Sequence, residues 1–157
     1  MFRAAVAEET DLGRQVGPIL AAGELVPDEL TVALIRERLS QDDATAGFVL
    51  DGFPRNSLQA EELDEMLEKI GRPLDAVLFF DLDDETATAR ALGRARDEGR
   101  ADDTPEVVAR RLAIYHEQTE PVIERYRLAG SLHTLTARRG VDEVFAEIEA
   151  ALARVGQ

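Results

Sequence analysis

Directly after the apolar run Phe48-Val49-Leu50 come Asp51, Gly52, Phe53, Pro54 and Arg55. In an α/β protein, ligands bind beyond the carboxyl ends of parallel strands. This row would place a carboxylate, a permissive glycine, an aromatic ring, a rigid proline and a planar cation at such an end. Glycine lets the chain turn where a side chain would clash, and proline fixes the backbone after it. Arg55 is the residue type that grips a phosphate through two parallel hydrogen bonds. Gln59, four residues on, carries both a carbonyl acceptor and an amide donor. A second group of cations follows. Arg90 and Arg94 are four apart and share a helix face, where they repel unless an anion or solvent lies between them. Arg94 and Arg100 bracket a charged loop, and Arg111 lies seven residues beyond Thr104. His116 and His133 are isolated and are assigned no chemistry.

Residues 1–9 read as part of a helix. Asp11 can cap a second helix running to about Ala22, which Gly23 can end. Pro27 opens a third helix, to about Leu39, with an apolar stripe at Leu30, Leu34 and Ile35. Residues 47–51 read as a strand and 57–70 as a helix. The continuous run Ala76-Val77-Leu78-Phe79-Phe80 predicts a parallel strand buried on both faces. Asp83 or Asp84 can cap the next helix, to about Gly93, and 95–103 read as an exposed loop. Thr104-Pro105-Glu106 is a helix start, and that helix should run to about Leu128 with a bend near Pro121. A short strand over 132–136 and an amphipathic helix over 141–154 complete the chain. Strands alternating with helices predict a parallel α/β sheet, here with three strands.

The length, 157 residues, suits one domain, and 45% apolar residues are enough for a core. Net charge is −14, which argues against nucleic-acid binding, because a phosphate backbone needs a basic footprint. An acidic chain still binds a small anion if a few arginines converge on it. Of 18 basic residues only Lys69 is a lysine, and arginine is the better bidentate phosphate ligand. There is no cysteine, so no disulfide or zinc–thiolate site is expected. No apolar run approaches membrane-spanning length and no leader pattern opens the chain. These features together fit a cytoplasmic enzyme.

The row Asp51-Gly52-Phe53-Pro54-Arg55 resembles the signature of the adenylate kinases, within the nucleoside monophosphate kinase family. Phe2-Arg3-Ala4-Ala5 resembles the start of that family's nucleotide-binding helix, and Ala22 through Leu30 its loop before the next helix. Gln59 stands where the family has its base-reading glutamine. Gly99-Arg100-Ala101-Asp102-Asp103, then Arg110-Arg111-Leu112 and Tyr115, resemble the end of the lid and the helix after it. The likeness covers essentially the whole chain in order.

The resemblance implies reversible phosphoryl transfer, ATP plus AMP giving two ADP, with Mg²⁺, by a cytoplasmic monomer. It implies one nucleoside monophosphate kinase domain over 1–157, with the acceptor part at 1–40 and a short lid at 95–103. Arg3 and Arg55 would bind the AMP phosphate, with Gly52, Phe53 and Pro54 packed around the nucleotide and Gln59 on the adenine edge. Glu24, Leu25 and Val26 would offer backbone groups to the base. Asp51 would help hold Mg²⁺ through water, as suits a hard cation that keeps its hydration. Arg94 would contact ATP, and Arg100 and Arg111 would reach the transferring or acceptor phosphates. With Arg90, these arginines would neutralise charge on the transferring group, which is how phosphoryl transfer is mainly catalysed. Asp102 and Asp103 would hold the lid loop by hydrogen bonds to it or to ATP. Arg139 or Gly140 matches a late adenine contact. Such a mechanism needs no protein nucleophile.

One departure is large. The pattern G-x-x-x-x-G-K-[ST] does not occur in these residues, and Lys69 lies in a Glu-rich helical segment. The expected fold is therefore a P-loop-kinase-like parallel sheet flanked by helices, without the N-terminal strand and phosphate loop. A late start at an internal Met and a truncated copy explain this equally well. Such a chain should expose the apolar flanks of a gap in its sheet, and its activity should be very low. Two other readings compete: a non-catalytic nucleotide-binding remnant, and a UMP/CMP kinase, which shares the Asp-Gly-Phe-Pro-Arg turn. A purely structural or interaction role is the weakest reading.

Overall fold

The structure is a computed structural model that describes residues 1–100 and 102–155. Ala101, part of the lid motif, lies outside the described residues. The chain is a helix-rich α/β protein with a small parallel sheet, and it divides into two compact units. The first comprises Met1–Val49 and Thr88–His116, the second Leu50–Ala87 and the chain from Glu117 onward.

The first unit opens with helices α1 (Phe2–Ala7) and α2 (Asp11–Ala21). Thr10, not Asp11, caps α2: its hydroxyl accepts from the Gly13 N–H at 3.0 Å. Asp11 takes the first helical position, where a carboxylate favours the helix dipole, and pairs with Arg14. The Thr10 N–H and hydroxyl both donate to the Ala5 carbonyl, at 3.1 and 3.2 Å, tying α2 to α1. The buried Gly13 lets the two backbones meet. Gly23, at φ +75°, ends α2 as expected, because this conformation suits a residue without Cβ.

Helix α3 (Asp28–Leu39) begins after Pro27, which sits at the cap. Its buried side is Val32, Ile35 and Leu39, a stripe rotated from the expected one, with Leu30 and Leu34 half-buried. Most of helix α5 (Asp84–Glu98) and all of α6 (Pro105–Ile114) complete this unit. Thr104 caps α6 as its sequence predicts. Helix α5 runs five residues past Gly93, so the expected loop at 95–103 is helical as far as Glu98. A glycine inside a helix costs only about 1 kcal/mol, and the Ala and Arg residues around Gly93 favour helix.

The second unit holds α4 (Ser57–Lys69), capped by Asn56, strands β1 (Val77–Asp81) and β2 (Leu132–Thr136), and helices α7 (Glu120–Leu128) and α8 (Val141–Leu152). β1 and β2 are parallel, with Val77 opposite Leu132 and Asp81 opposite Thr136. Ala60, Val122 and Tyr126 form a core cluster, against which Leu74, Val77 and Leu132 pack. Leu63 and Leu67 of α4 are fully buried. Asp83 caps α5, accepting from the Thr86 N–H at 2.7 Å, and these hydrogen bonds from Thr86 hold its carboxyl below the usual range.

Two further expectations are corrected, and the bend expected near Pro121 takes a specific form. Residues 47–51 form no strand: among the described residues the sheet has two strands, and 47–51 belongs to neither. A strand exists only through its ladder, and without one Val49 is 93% exposed. β1 is not buried on both faces, for Phe80 is 47% exposed, in line with the apolar flanks expected of an incomplete sheet. Finally, the break before Pro121 is a π-helical turn at Tyr115–Thr119 between α6 and α7. Proline lacks the N–H that would bond the Glu117 carbonyl four residues back, and its ring crowds that carbonyl. Widening the turn relieves both.

Candidate functional site

In the first unit, Arg3 of α1 and Arg94 and Arg111 on α5 and α6 meet at two neighbouring carboxylates. Arg3 Nη2 lies 3.0 Å from Asp102 Oδ2, and Arg111 Nη2 lies 2.7 Å from the same oxygen. Arg111 Nη1 lies 2.5 Å from Asp103 Oδ1, and Arg94 Nη2 lies 3.4 Å from Asp103 Oδ2. The Asp103 side chain is completely buried, while Arg94 and Arg111 stay 47% and 29% exposed. Three guanidiniums are thus gathered and held at their inner side, with part of each left to solvent. Arg111 also donates to the Leu20 carbonyl at 3.4 Å, at the end of α2.

Partial burial acts to raise the Asp102 carboxyl, but hydrogen bonds from Arg111 and Arg3 outweigh it and hold the group below the ordinary carboxylate range. A depressed folded-state value means the Asp102 contribution is complete above the pKa of an unfolded aspartate, about 3.9. It is lost as pH falls through the lower folded value. The stability difference between the wild type and Asp102→Asn should therefore be constant from neutral pH down to about 4 and shrink below it. Chemical denaturation at a series of pH values checks this.

The remaining first-unit candidates divide. Arg100 turns to Glu98, 2.6 Å away, and Arg90 is exposed on α5. Glu24 engages by its side chain, 2.8 Å from Arg110, and the Val26 carbonyl accepts from the Thr31 hydroxyl at 3.4 Å. Val26 is buried and Leu25 half-buried. The Arg110–Glu24 and Arg3–Asp102 pairs join residues 86 and 99 apart in sequence.

In the second unit, the turn at Asp51–Arg55 is closed by its own arginine. Gly52 has φ +72°, and Arg55 Nε donates to the Gly52 carbonyl at 2.7 Å. A Cβ on Gly52 would lie 2.8 Å from Arg55 Nη2, so glycine also makes room for the guanidinium. The Phe53–Pro54 peptide is cis. Gln59 is 2% exposed, and its Oε1 accepts the Arg55 N–H at 2.8 Å. The Thr119 hydroxyl donates to the Arg55 carbonyl at 2.7 Å. Thr119 carried no signal in the sequence, because nothing in Gln-Thr-Glu-Pro points to a residue 64 positions upstream. Arg139 is 52% exposed and paired with Glu147 at 2.8 Å. Lys69, the single lysine, pairs with Glu65 on the surface of α4.

Among the described residues no three or more His, Asp or Glu side chains gather as a metal cage. Asp51 is exposed at its turn. A single open carboxylate suits a cation that keeps most of its waters and takes its other ligands from a substrate phosphate. No helix among the described residues is long and apolar enough to cross a membrane.

The family model described as adenylate kinase matches residues 1–131. A protein called adenylate kinase from Stenotrophomonas maltophilia (strain K279a) is 45% identical over 152 residues, which are 97% of this chain and 81% of that protein. Relatives with the same name from Parvibaculum lavamentivorans and Thermobifida fusca are each 46% identical. They cover 97% and 92% of this chain, and 76% of their own lengths.

Proposed function

We propose, since this chain belongs to the adenylate kinase family, that its residues serve reversible phosphoryl transfer, ATP plus AMP giving two ADP. The observation that carries this reading is the gathering of Arg3, Arg94 and Arg111 on Asp102 and Asp103. Such a cluster, anchored beforehand, presents positive charge at fixed positions without reorganising when charge builds up. Arg3 and Arg55 take the AMP phosphate, and Gly52, Phe53 and Pro54 shape the turn around the nucleotide. Gln59 reads the adenine edge, and Glu24, Leu25 and Val26 offer backbone groups to the base. Arg94 contacts ATP, Arg90, Arg100 and Arg111 serve the transferring phosphoryl group, and Arg139 borders the second adenine.

Mg²⁺ fits the exposed Asp51, which would hold it through water; when bound it neutralises charge on the phosphate oxygens. The protein groups act by binding, orienting and excluding water, because a half-open site would lose the phosphoryl group to hydrolysis. Charge of −14 leaves no basic footprint for nucleic acid, and we assign a cytoplasmic monomer.

Calorimetric titration with AMP, ATP, UMP and CMP, together with a coupled ADP-formation assay in Mg²⁺, tests this reading. AMP should bind in preference to UMP and CMP. Arg55→Ala should weaken AMP at least about tenfold, the worth of a hydrogen bond to a charged group. Turnover by the 157 residues should be at least about a hundredfold below that of a relative carrying a phosphate loop, because G-x-x-x-x-G-K-[ST] does not occur in them. AMP binding with no turnover at all would favour the non-catalytic reading, and no AMP binding would overturn the assignment.

A further inference from the structure

We propose that Thr119 is a positioning residue for Arg55, acting through the hydrogen bond from its hydroxyl to the Arg55 carbonyl. This deepens the reading above and rests on it, since it takes Arg55 as a phosphate ligand. Two observations carry it.

First, the backbone of Arg55 is held at both of its polar groups. Gln59 Oε1 accepts its N–H at 2.8 Å, and the Thr119 hydroxyl donates to its carbonyl at 2.7 Å. With Arg55 Nε on the Gly52 carbonyl, the residue is fixed in front, behind and along its side chain. A guanidinium meets a phosphate in bidentate fashion only if its base is aimed, so these contacts set where the fork points.

Second, the Thr119 hydroxyl departs from the usual habit of a helical threonine. Thr119 ends the π-helical turn and continues into α7 with helical dihedrals, φ −96° and ψ −34°. A threonine inside a helix commonly turns its hydroxyl back to the carbonyl four residues before it. Here the hydroxyl proton goes instead to the Arg55 carbonyl, 64 residues upstream.

The test uses the whole chain as wild type, Thr119→Val, Thr119→Ser, Arg55→Ala and the double variant Arg55→Ala/Thr119→Val. Each is titrated with AMP by calorimetry and melted without nucleotide. Valine keeps the shape and removes the donor; losing one hydrogen bond of about 1 kcal/mol should lower its melting midpoint by no more than about 2–4 °C. AMP binding should weaken by about fivefold to tenfold in Thr119→Val, as for one lost hydrogen bond. Thr119→Ser should bind within about twofold of wild type, since it restores the donor. Adding Thr119→Val to Arg55→Ala should cause no further loss, because the two act through one group.

Wild-type AMP affinity in Thr119→Val overturns the inference. An equal loss in the Arg55→Ala background also overturns it, because that would be a general structural effect. If Arg55→Ala itself binds AMP like wild type, the phosphate assignment of Arg55 fails and this inference falls with it. That outcome is distinct from a failure confined to Thr119.

Discussion

Gly13→Ala should lower stability by about 3 kcal/mol, and the melting midpoint by about 6–12 °C. A Cβ at Gly13 would sit 2.0 Å from the Ala5 carbonyl oxygen, 2.4 Å from its carbon and 2.7 Å from the Val6 nitrogen. All three are main-chain atoms, so no side-chain rotation relieves the overlap and α1 must move off α2. The better helix propensity of alanine returns only about 1 kcal/mol. Displacing α1 also withdraws Arg3 from Asp102, so AMP affinity should fall with stability. Gly17, one turn further along α2, is the internal control. A Cβ there meets nothing closer than a Val6 methyl at 3.8 Å, so Gly17→Ala should be neutral or slightly stabilising. Thermal melts of the two variants decide the matter: equal midpoints would show that α1 does not pack on α2 at backbone contact.

Asp103→Asn should cost about 2 kcal/mol and weaken ATP about tenfold. The carboxylate is completely buried and receives Arg111 and Arg94. Asparagine keeps the shape but turns an N–H₂ donor toward a guanidinium that can only donate. A full buried-ion-pair loss would reach about 3–5 kcal/mol; the smaller figure applies because both arginines are partly in water and can find it again. Removing a negative charge beside an anion site would by itself favour ATP. Loss of the common anchor should prevail, since Asp103 holds the guanidiniums from the buried side and two released cations move apart. Urea denaturation and ATP titration of the same variant measure both effects, and tighter ATP binding would show that Asp103 competes with the ligand instead of aiming its partners.

The local features of this chain were legible because local chemistry fixes them. Gly23 ends α2 through a conformation that glycine adopts without cost, and Thr104-Pro105-Glu106 opens α6 by capping, ring geometry and dipole together. The misread cap, Asp11 for Thr10, is an error of one residue between two good capping types. The strand at 47–51 failed for a different reason. Its apolar run marks a segment able to join a ladder, but a ladder needs a neighbour, and periodicity in one segment says nothing about its partner. The site divides in the same way. The Asp51–Arg55 turn lies within a short stretch and is visible in the residue types, whereas the pairing of Arg94 and Arg111 with Asp102 and Asp103 was not read, because the residue types fit phosphate ligands equally well. Arg3 with Asp102, Arg110 with Glu24 and Thr119 with Arg55 join distant stretches through the packing of helices, which single-chain patterns do not encode.

Lys69 has a practical consequence. It is the only lysine, it lies on the exposed face of α4 in the second unit with 73% of its side chain in solvent, and the chain has no cysteine. Once the α-amino group, the more acidic amine, has been capped near neutral pH, an amine-directed dye finds one side chain, in the second unit, while a cysteine introduced on an exposed first-unit residue such as Arg36 would be the single thiol. The two chemistries do not cross. A donor and an acceptor can be installed one per unit without removing any native residue but the one exchanged. Energy transfer between them would report whether adding AMP or ATP changes the distance between the two labels, and so turn a scarcity of lysine into a ruler.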